Sequence, residues 1–343
     1  MRAMLAALAC LLCAQTATAA VGYQTLVLQD DASRPLPAAV WYPAADGAAL
    51  RLQGDNPLFV GQPVATDAPP QPGRYPLVLL SHGFGGNRDN QGWLAQALVA
   101  HGYVVAAVTH PGTSTGSAFN AQSAALWQRP RDLSRLLDTL QASPRWAPLL
   151  DGKRVAAIGH SLGGWTVMMS AGARFDPAQF DDDCRQHGEL AACRVYAALG
   201  SGRDAANRGQ LQADWRDARI GAVVTLDLGL ARGFTRSSLQ QLPVPALVIA
   251  AGAPNPQLPA ALESADMAAK LPAGTAYVVL PEAAHMSFLP YCKPGAAALL
   301  AGEPEDDRIL CDDGEPGGRH AVHNHVTARV LAFLRHVWGG GQP

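Results

Sequence analysis

The chain has 343 residues, 48% of them hydrophobic and 16% charged, with a formal net charge of -2 and a sequence pI near 6.5. That length suffices for one large or two ordinary domains with a substantial core. The near balance of charge gives no electrostatic basis for nucleic acid or an anionic membrane surface as a partner.

Residues 1–19 read as an export signal. Arg2 supplies a positive charge, an apolar core runs from Met4 to Cys13, and small residues end in Ala17-Thr18-Ala19, with cleavage expected after Ala19. The apolar core is too short to span a bilayer. Residues 20–343 are therefore expected to form the mature chain, periplasmic or secreted, with no integral membrane segment. Cleavage removes Cys10 and Cys13 and leaves Cys184, Cys193, Cys292 and Cys311. Four cysteines allow three pairings. Short loops cost the least entropy to close, which favours Cys184 with Cys193 and Cys292 with Cys311, and an oxidising compartment favours bridges over thiols.

Beyond the signal, "TLVLQ" and "AAVWYP" read as an opening hairpin. The Pro-rich stretch Gly54 to Gly73 reads as a long surface loop. "YPLVLLSHG", "YVVAAVTH", "RVAAIGHS", "IGAVVTLD", "VPALVIAAG" and "TAYVVLPEA" follow as uniformly apolar strands, the pattern of a sheet covered on both faces. Helices are expected over Asn90 to His101, Arg131 to Gln141, Leu162 to Ala173, Pro259 to Leu271 and Val322 to Val337. No internal repeat is visible. The alternation predicts a single α/β domain whose eight-stranded, mostly parallel sheet is flanked by helices. From about Phe175 to Arg219 the rhythm breaks into polar, amphipathic helix without a strand, read as an inserted cap stapled by Cys184 and Cys193. The acidic run Asp181 to Asp183 reads as a solvated helix start rather than a calcium site.

Gly159-His160-Ser161-Leu162-Gly163 fits G-x-S-x-G where the strand "RVAAI" meets a helix. Glycine costs on the order of 1 kcal/mol per helical position relative to alanine, so such a cluster needs a reason. A nucleophile elbow supplies one. Its turn is so tight that side chains two positions either side of the serine would collide, and the hydroxyl is left exposed at the sheet's carboxyl edge.

A serine hydroxyl needs a base to take its proton. His285, just beyond the last strand in "YVVLPEAAHMSFL", stands where that base belongs. The acid is expected at Asp227, which ends the strand "AVVTL"; Glu263 is the alternative. A carboxylate there needs a partner, and an imidazole N–H is one. Two backbone N–H groups are expected to hold the oxyanion, that of Leu162 after the nucleophile and that of Phe84 in "SHGFGG".

Together "LLSHGFGGNRDN", "THPGTS", Arg129-Pro130-x-Asp132, "IGHSLGG", "TLDLGLARGF" and "AHMSFLPYC" with its later "LC" resemble the α/β-hydrolase superfamily. More narrowly, the chain is similar to the platelet-activating-factor acetylhydrolase group and to dienelactone hydrolase-like bacterial proteins. The resemblance implies the α/β-hydrolase fold, an acid after the sixth strand at Asp227, and the roles already given to Ser161, His285, Phe84 and Leu162. True dienelactone hydrolases use a cysteine nucleophile, so that likeness concerns fold and not substrate. Arg129 to Asp132 also reads simply as a helix start with proline in its first turn.

The expected function is hydrolysis of carboxylic esters of short acyl chains through an acyl-enzyme, with a small-molecule or lipid ester as substrate and no cofactor. An amidase or acyltransferase would use the same residues, and a non-catalytic acyl-binding member of the fold is the reading from another class. Acyl length, alcohol group and oligomeric state are not encoded legibly. Cys311, Asp312, Asp313, His320, His323 and His325 contain a His-x-x-His-x-His pattern, but its spacing fits no common structural zinc site, and no metal is expected.

Overall fold

The computed structural model describes residues 20–45, 47–117, 119–302, 308–313 and 318–339. The expected export signal, 1–19, lies outside them.

Ten strands, not the eight read from the sequence, form one sheet in the order β10-β9-β8-β7-β5-β6-β2-β1-β4-β3. β1 (Ala20–Leu28) and β2 (Leu36–Ala44) are the expected antiparallel pair, in unbroken register from Ala20 opposite Ala44 to Leu28 opposite Leu36. β5 (Tyr75–Ser81), β6 (Val104–Val108), β7 (Leu150–His160), β8 (Ala222–Leu226), β9 (Ala246–Ala251) and β10 (Ala276–Leu280) are the six apolar runs, and all pair in parallel. The two additional strands are β3 (Leu50–Gln53) and β4 (Gln62–Thr66), antiparallel to one another. β4 lies inside the stretch expected to be a surface loop. Its attachment to β1 rests on a short parallel register, Gly22 to Ala65 and Tyr23 to Thr66. Nothing in the local pattern encodes such a long-range pairing.

Strand alternation sends side chains to two cores. Leu77 and Leu79 of β5 enter one with Val104, Val155 and Trp165. Val78 and Leu80 enter the other with Ile158, Val224 and Ile249. α1 (Gly92–Val99) and the closing helix α11 (Gly318–Trp338) cover the second face through Leu94, Leu98, Val326 and Leu334. On the first face, after the single turn α2 (Ala121–Ala124), lie α3 (Gln128–Ala142) and α4 (Leu162–Ala171). Every residue of α4 is buried, and its two polar members, Thr166 and Ser170, donate to helix carbonyls four residues back.

Between β7 and β8 the inserted segment is helical and contains no strand, as expected: α5 (Pro177–Gln186), α6 (Ala191–Leu199) and α7 (Ala205–Gln212). Asp176 caps α5 by accepting the Ala178 N–H, and Asp204 caps α7 by accepting that of Asn207. Phe175, Phe180, Tyr196 and Phe234 form an aromatic cluster beneath these helices. A Cys184–Cys193 disulfide joins α5 to α6, and a second disulfide joins Cys292 to Cys311, the expected pairings. The acidic run lies past the first turn of α5 rather than at a helix start, and it is fully paired, Asp181 with Arg208, Asp182 with Arg185 and Asp183 with Arg232. The remaining short helices are α8 (Arg236–Gln240), α9 (Ser264–Ala268) and α10 (Ala296–Leu299). The helix expected over Pro259 to Leu271 is thus confined to α9, preceded by turns.

Candidate active site

The chain leaves β5 to one side for β6 and then crosses to the other for β7, so the loops after β5 and β7 diverge at a topological switch point. Crevices at such points are where open parallel sheets bind ligands.

Ser161 alone separates β7 from α4, with φ 55° and ψ -122°, a left-handed φ that non-glycine residues rarely adopt. The neighbouring glycines have a direct steric cause. A Cβ on Gly159 would stand 2.0 Å from the Gly163 carbonyl oxygen, and one on Gly163 would stand 1.9 Å from that of Ser81.

His285 opens a one-turn 3-10 helix (His285–Phe288) shortly after β10. Its Nε2 lies 3.1 Å from Ser161 Oγ, and its Nδ1 lies 2.6 Å from Asp227 Oδ2. An ionised carboxylate only accepts, so Nδ1 carries the hydrogen and Nε2 presents its lone pair to the hydroxyl. Asp227 follows β8 directly, and its other oxygen accepts the Ala251 N–H at 2.9 Å. Both oxygens of this buried carboxylate are therefore engaged. The structure thus brings together the three residues expected to act as nucleophile, base and acid. Glu263, the alternative acid, is committed elsewhere: it accepts the Ala231 N–H at 2.7 Å and Arg232 Nε at 3.1 Å. Burial pushes its pKa up to about 7.

The turn after β5 abuts the serine, since a Cβ on Gly83 would lie 3.0 Å from Ser161 Cβ. Phe84 and Leu162, the expected oxyanion donors, belong to the two segments that meet there. Among the described residues neither N–H donates to a backbone acceptor. Phe84 is 40% exposed, and its ring stacks on that of Phe119 with centroids 6.1 Å apart.

The segment beyond His285 is held by four successive carbonyls. Phe288 accepts from Trp93 Nε1 at 3.0 Å, Leu289 from His323 Nε2 at 2.9 Å and Pro290 from Arg319 Nη1 at 2.7 Å. Tyr291 accepts from the Val60 N–H at 2.8 Å. The Cys292–Cys311 disulfide follows immediately. The histidines of the His-x-x-His-x-His pattern are dispersed among these contacts. His320 stacks on Tyr291 at 3.8 Å, His323 lies 3.6 Å from the Trp93 ring, and His325 pairs with Glu282 at 2.6 Å.

Two features escape sequence reasoning. His160, buried beside the nucleophile, donates from Nε2 to the His285 carbonyl at 2.8 Å. Burial drags its pKa down to about 3, so it is neutral. The second feature is another Ser-His-Asp run. Ser81 Oγ is 2.9 Å from His110 Nε2, and His110 Nδ1 is 2.9 Å from Asp132 Oδ2. All three side chains are buried, and Asp132 also receives both Arg34 Nε and Nη2. No ester carbonyl can reach this serine, whereas Ser161 and His285 are partly exposed. Residue types and distances alone do not make a nucleophile; access decides. In the sequence the signal was the placement of Arg129 and Asp132 in helical register with Leu133, Leu136 and Leu140, where the period calls for apolar residues.

A family model described as "Alpha/beta hydrolase family" matches residues 77–298. Among curated proteins, the chain is 28% identical over 138 residues to a platelet-activating factor acetylhydrolase of Cavia porcellus, covering 28% of this chain and 32% of that protein. It is 29% identical over 104 residues to the cutinase est1 of Thermobifida alba, covering 30% and 32% respectively. The matches thus span about a third of those relatives' length. Among solved structures, a ferulic acid esterase from Streptomyces cinnamoneus superposes with a TM-score of 0.59 at 21% identity, covering 96% of this chain and 94% of that one.

Proposed function

The chain belongs to the alpha/beta hydrolase family, and from that footing we propose that it is a serine hydrolase of carboxylic esters. The observation that carries this reading is the hydrogen-bonded run from Ser161 through His285 to Asp227, with a partly exposed hydroxyl at its open end. The names of the relatives, an acetylhydrolase and a cutinase, support an ester as the scissile group.

Ser161 Oγ attacks the ester carbonyl carbon while His285 Nε2 takes its proton. Asp227 holds the imidazole in the tautomer that exposes Nε2 and stabilises the imidazolium that forms. The carbonyl oxygen becomes an oxyanion held by the N–H groups of Phe84 and Leu162. The tetrahedral intermediate then expels the alkoxide, which receives the proton from His285 and departs as alcohol. Water, deprotonated by His285, attacks the acyl-serine, and the acid leaves as Ser161 recovers its proton. The exposed Phe84–Phe119 stack follows the turn that abuts Ser161 and is available to shape the substrate site. The reading includes export, supported by two disulfides.

A chain-length series of nitrophenyl esters on wild type and Ser161→Ala tests it, with fluorophosphonate labelling as a second readout. Wild type turns over the short acyl esters fastest and is labelled at Ser161. Ser161→Ala loses roughly 10⁴-fold or more in kcat and is not labelled. Substantial turnover by a folded Ser161→Ala variant overturns the proposal.

A further inference from the structure

We propose that Arg129 is a positioning residue that holds the two oxyanion donor segments, the turn after β5 and the first turn of α4, in fixed relation to one another. The inference rests on the reading of Ser161 as nucleophile.

Arg129 enters from α3 and is 1% exposed. Its guanidinium forks in three directions. Nε donates to Thr166 Oγ1 at 2.9 Å and Nη1 to Thr113 Oγ1 at 2.5 Å. Nη2 donates to the His82 carbonyl and to Ser81 Oγ. Thr166 Oγ1 in turn donates to the Leu162 carbonyl at 2.9 Å. One rigid group thus reaches the first turn of α4, the loop after β6 and the peptide just before Gly83.

The turn is gripped one peptide further on as well. His82 Nε2 accepts the His110 N–H at 2.9 Å, so its hydrogen must sit on Nδ1, which donates to the Gly83 carbonyl at 2.6 Å. The Gly83 carbonyl and the Phe84 N–H belong to one planar trans peptide and point in opposite directions. Fixing that carbonyl therefore aims the N–H. Arg129 secures the adjacent His82 carbonyl, and Asp132 orients His110 from the same helix.

An apolar residue would satisfy the helical register at this position, and taking a guanidinium out of water is costly. Burial lowers the Arg129 pKa only to about 9, so it remains charged at neutral pH. A lysine would supply one point charge and not a planar fork, which makes Arg129→Lys the informative change.

The test compares kcat, KM and the inhibition constant of a trifluoromethyl ketone, whose serine adduct carries an oxyanion, in wild type, Arg129→Lys, Thr113→Val and Thr166→Val. The threonine variants keep the buried charge and serve if Arg129→Lys does not fold. Arg129→Lys is expected to lower kcat about 10- to 100-fold with KM little changed and to raise the ketone inhibition constant by the same factor. Each threonine variant should show the same paired change at roughly 3- to 10-fold. A general loss of packing would lower thermal tolerance without that correspondence. A folded variant with wild-type kcat and ketone affinity overturns the proposal, as does a fall in kcat with no matching loss of ketone affinity. If the ketone fails to inhibit wild type, or Ser161→Ala stays active, it is the esterase reading that fails.

Discussion

His160 Nε2 lies 2.8 Å from the backbone carbonyl of His285, so the residue preceding the nucleophile holds the backbone of the proposed base across the crevice. The two rings sit 4.9 Å apart. With its pKa lowered to about 3 by burial, His160 stays neutral and does not compete for the proton that His285 handles. His160→Phe preserves the ring and removes the donor. We expect kcat to fall about 10-fold with KM nearly constant, and stability to fall by about 1 kcal/mol because a partly buried carbonyl loses its partner. Steady-state kinetics and thermal unfolding check this, and an unchanged kcat discards the role.

The two buried carboxylates should separate cleanly. In Asp227→Asn the amide oxygen is retained by the Ala251 N–H and the NH2 donor faces His285 Nδ1, which selects the wrong tautomer and should cost on the order of 10⁴-fold in kcat. Glu263→Gln instead weakens the attachment of the Ala231–Arg232 turn. That variant should lose thermal stability while keeping kcat within a few-fold of wild type. The reverse ranking in kcat would move the acid to Glu263.

The two disulfides should have different consequences. The Cys292–Cys311 bridge closes the segment whose carbonyls are held by Trp93, His323 and Arg319. Replacing both cysteines by serine should lower stability by about 2 to 4 kcal/mol and also lower kcat, because the base loop loosens. Replacing Cys184 and Cys193 should lower stability with a smaller effect on hydrolysis of a minimal acetate ester. Equal kcat losses for the two pairs would contradict the assignment.

His323, buried between Trp93 and Tyr291, has its pKa lowered to about 3 by desolvation. The unfolded chain carries this histidine near the ordinary value of about 6.5. Between those values the unfolded state binds the extra proton, so stability falls as pH drops through about 6.5 toward 3, at roughly 1 kcal/mol per pH unit. His323→Phe keeps the stack and removes the titration. Its deficit in melting temperature should be largest at pH 7 and shrink toward pH 4. A constant gap between the two proteins would exclude His323 as a source of acid sensitivity.

The nucleophile turn was legible because its steric demands fall at fixed offsets from Ser161. Gly159 clears the backbone of Gly163 close by in the chain, whereas Gly163 clears the backbone of Ser81 on the adjacent strand β5. The six apolar strands and both cysteine pairings were legible for similar reasons, uniform burial in the first case and short loop closure in the second. β4 was not, because its place beside β1 rests on a brief pairing over a long separation. Nor was the buried set of Arg129, His82, His110 and Asp132. The register of Arg129 and Asp132 signals burial, but their partners emerge only when the fold brings Arg129 within reach of Thr166, 37 positions away, and of His82, 47 positions away.

From the order of its residues alone, this chain determined that a serine would stand clear at the end of a buried strand, because tight turns exclude side chains at known offsets. Folding alone decided which carboxylate meets His285 and which serine of two hydrogen-bonded sets remains reachable. Burial and solvent access belong to the packed surface of the whole molecule, and no stretch of sequence carries them by itself.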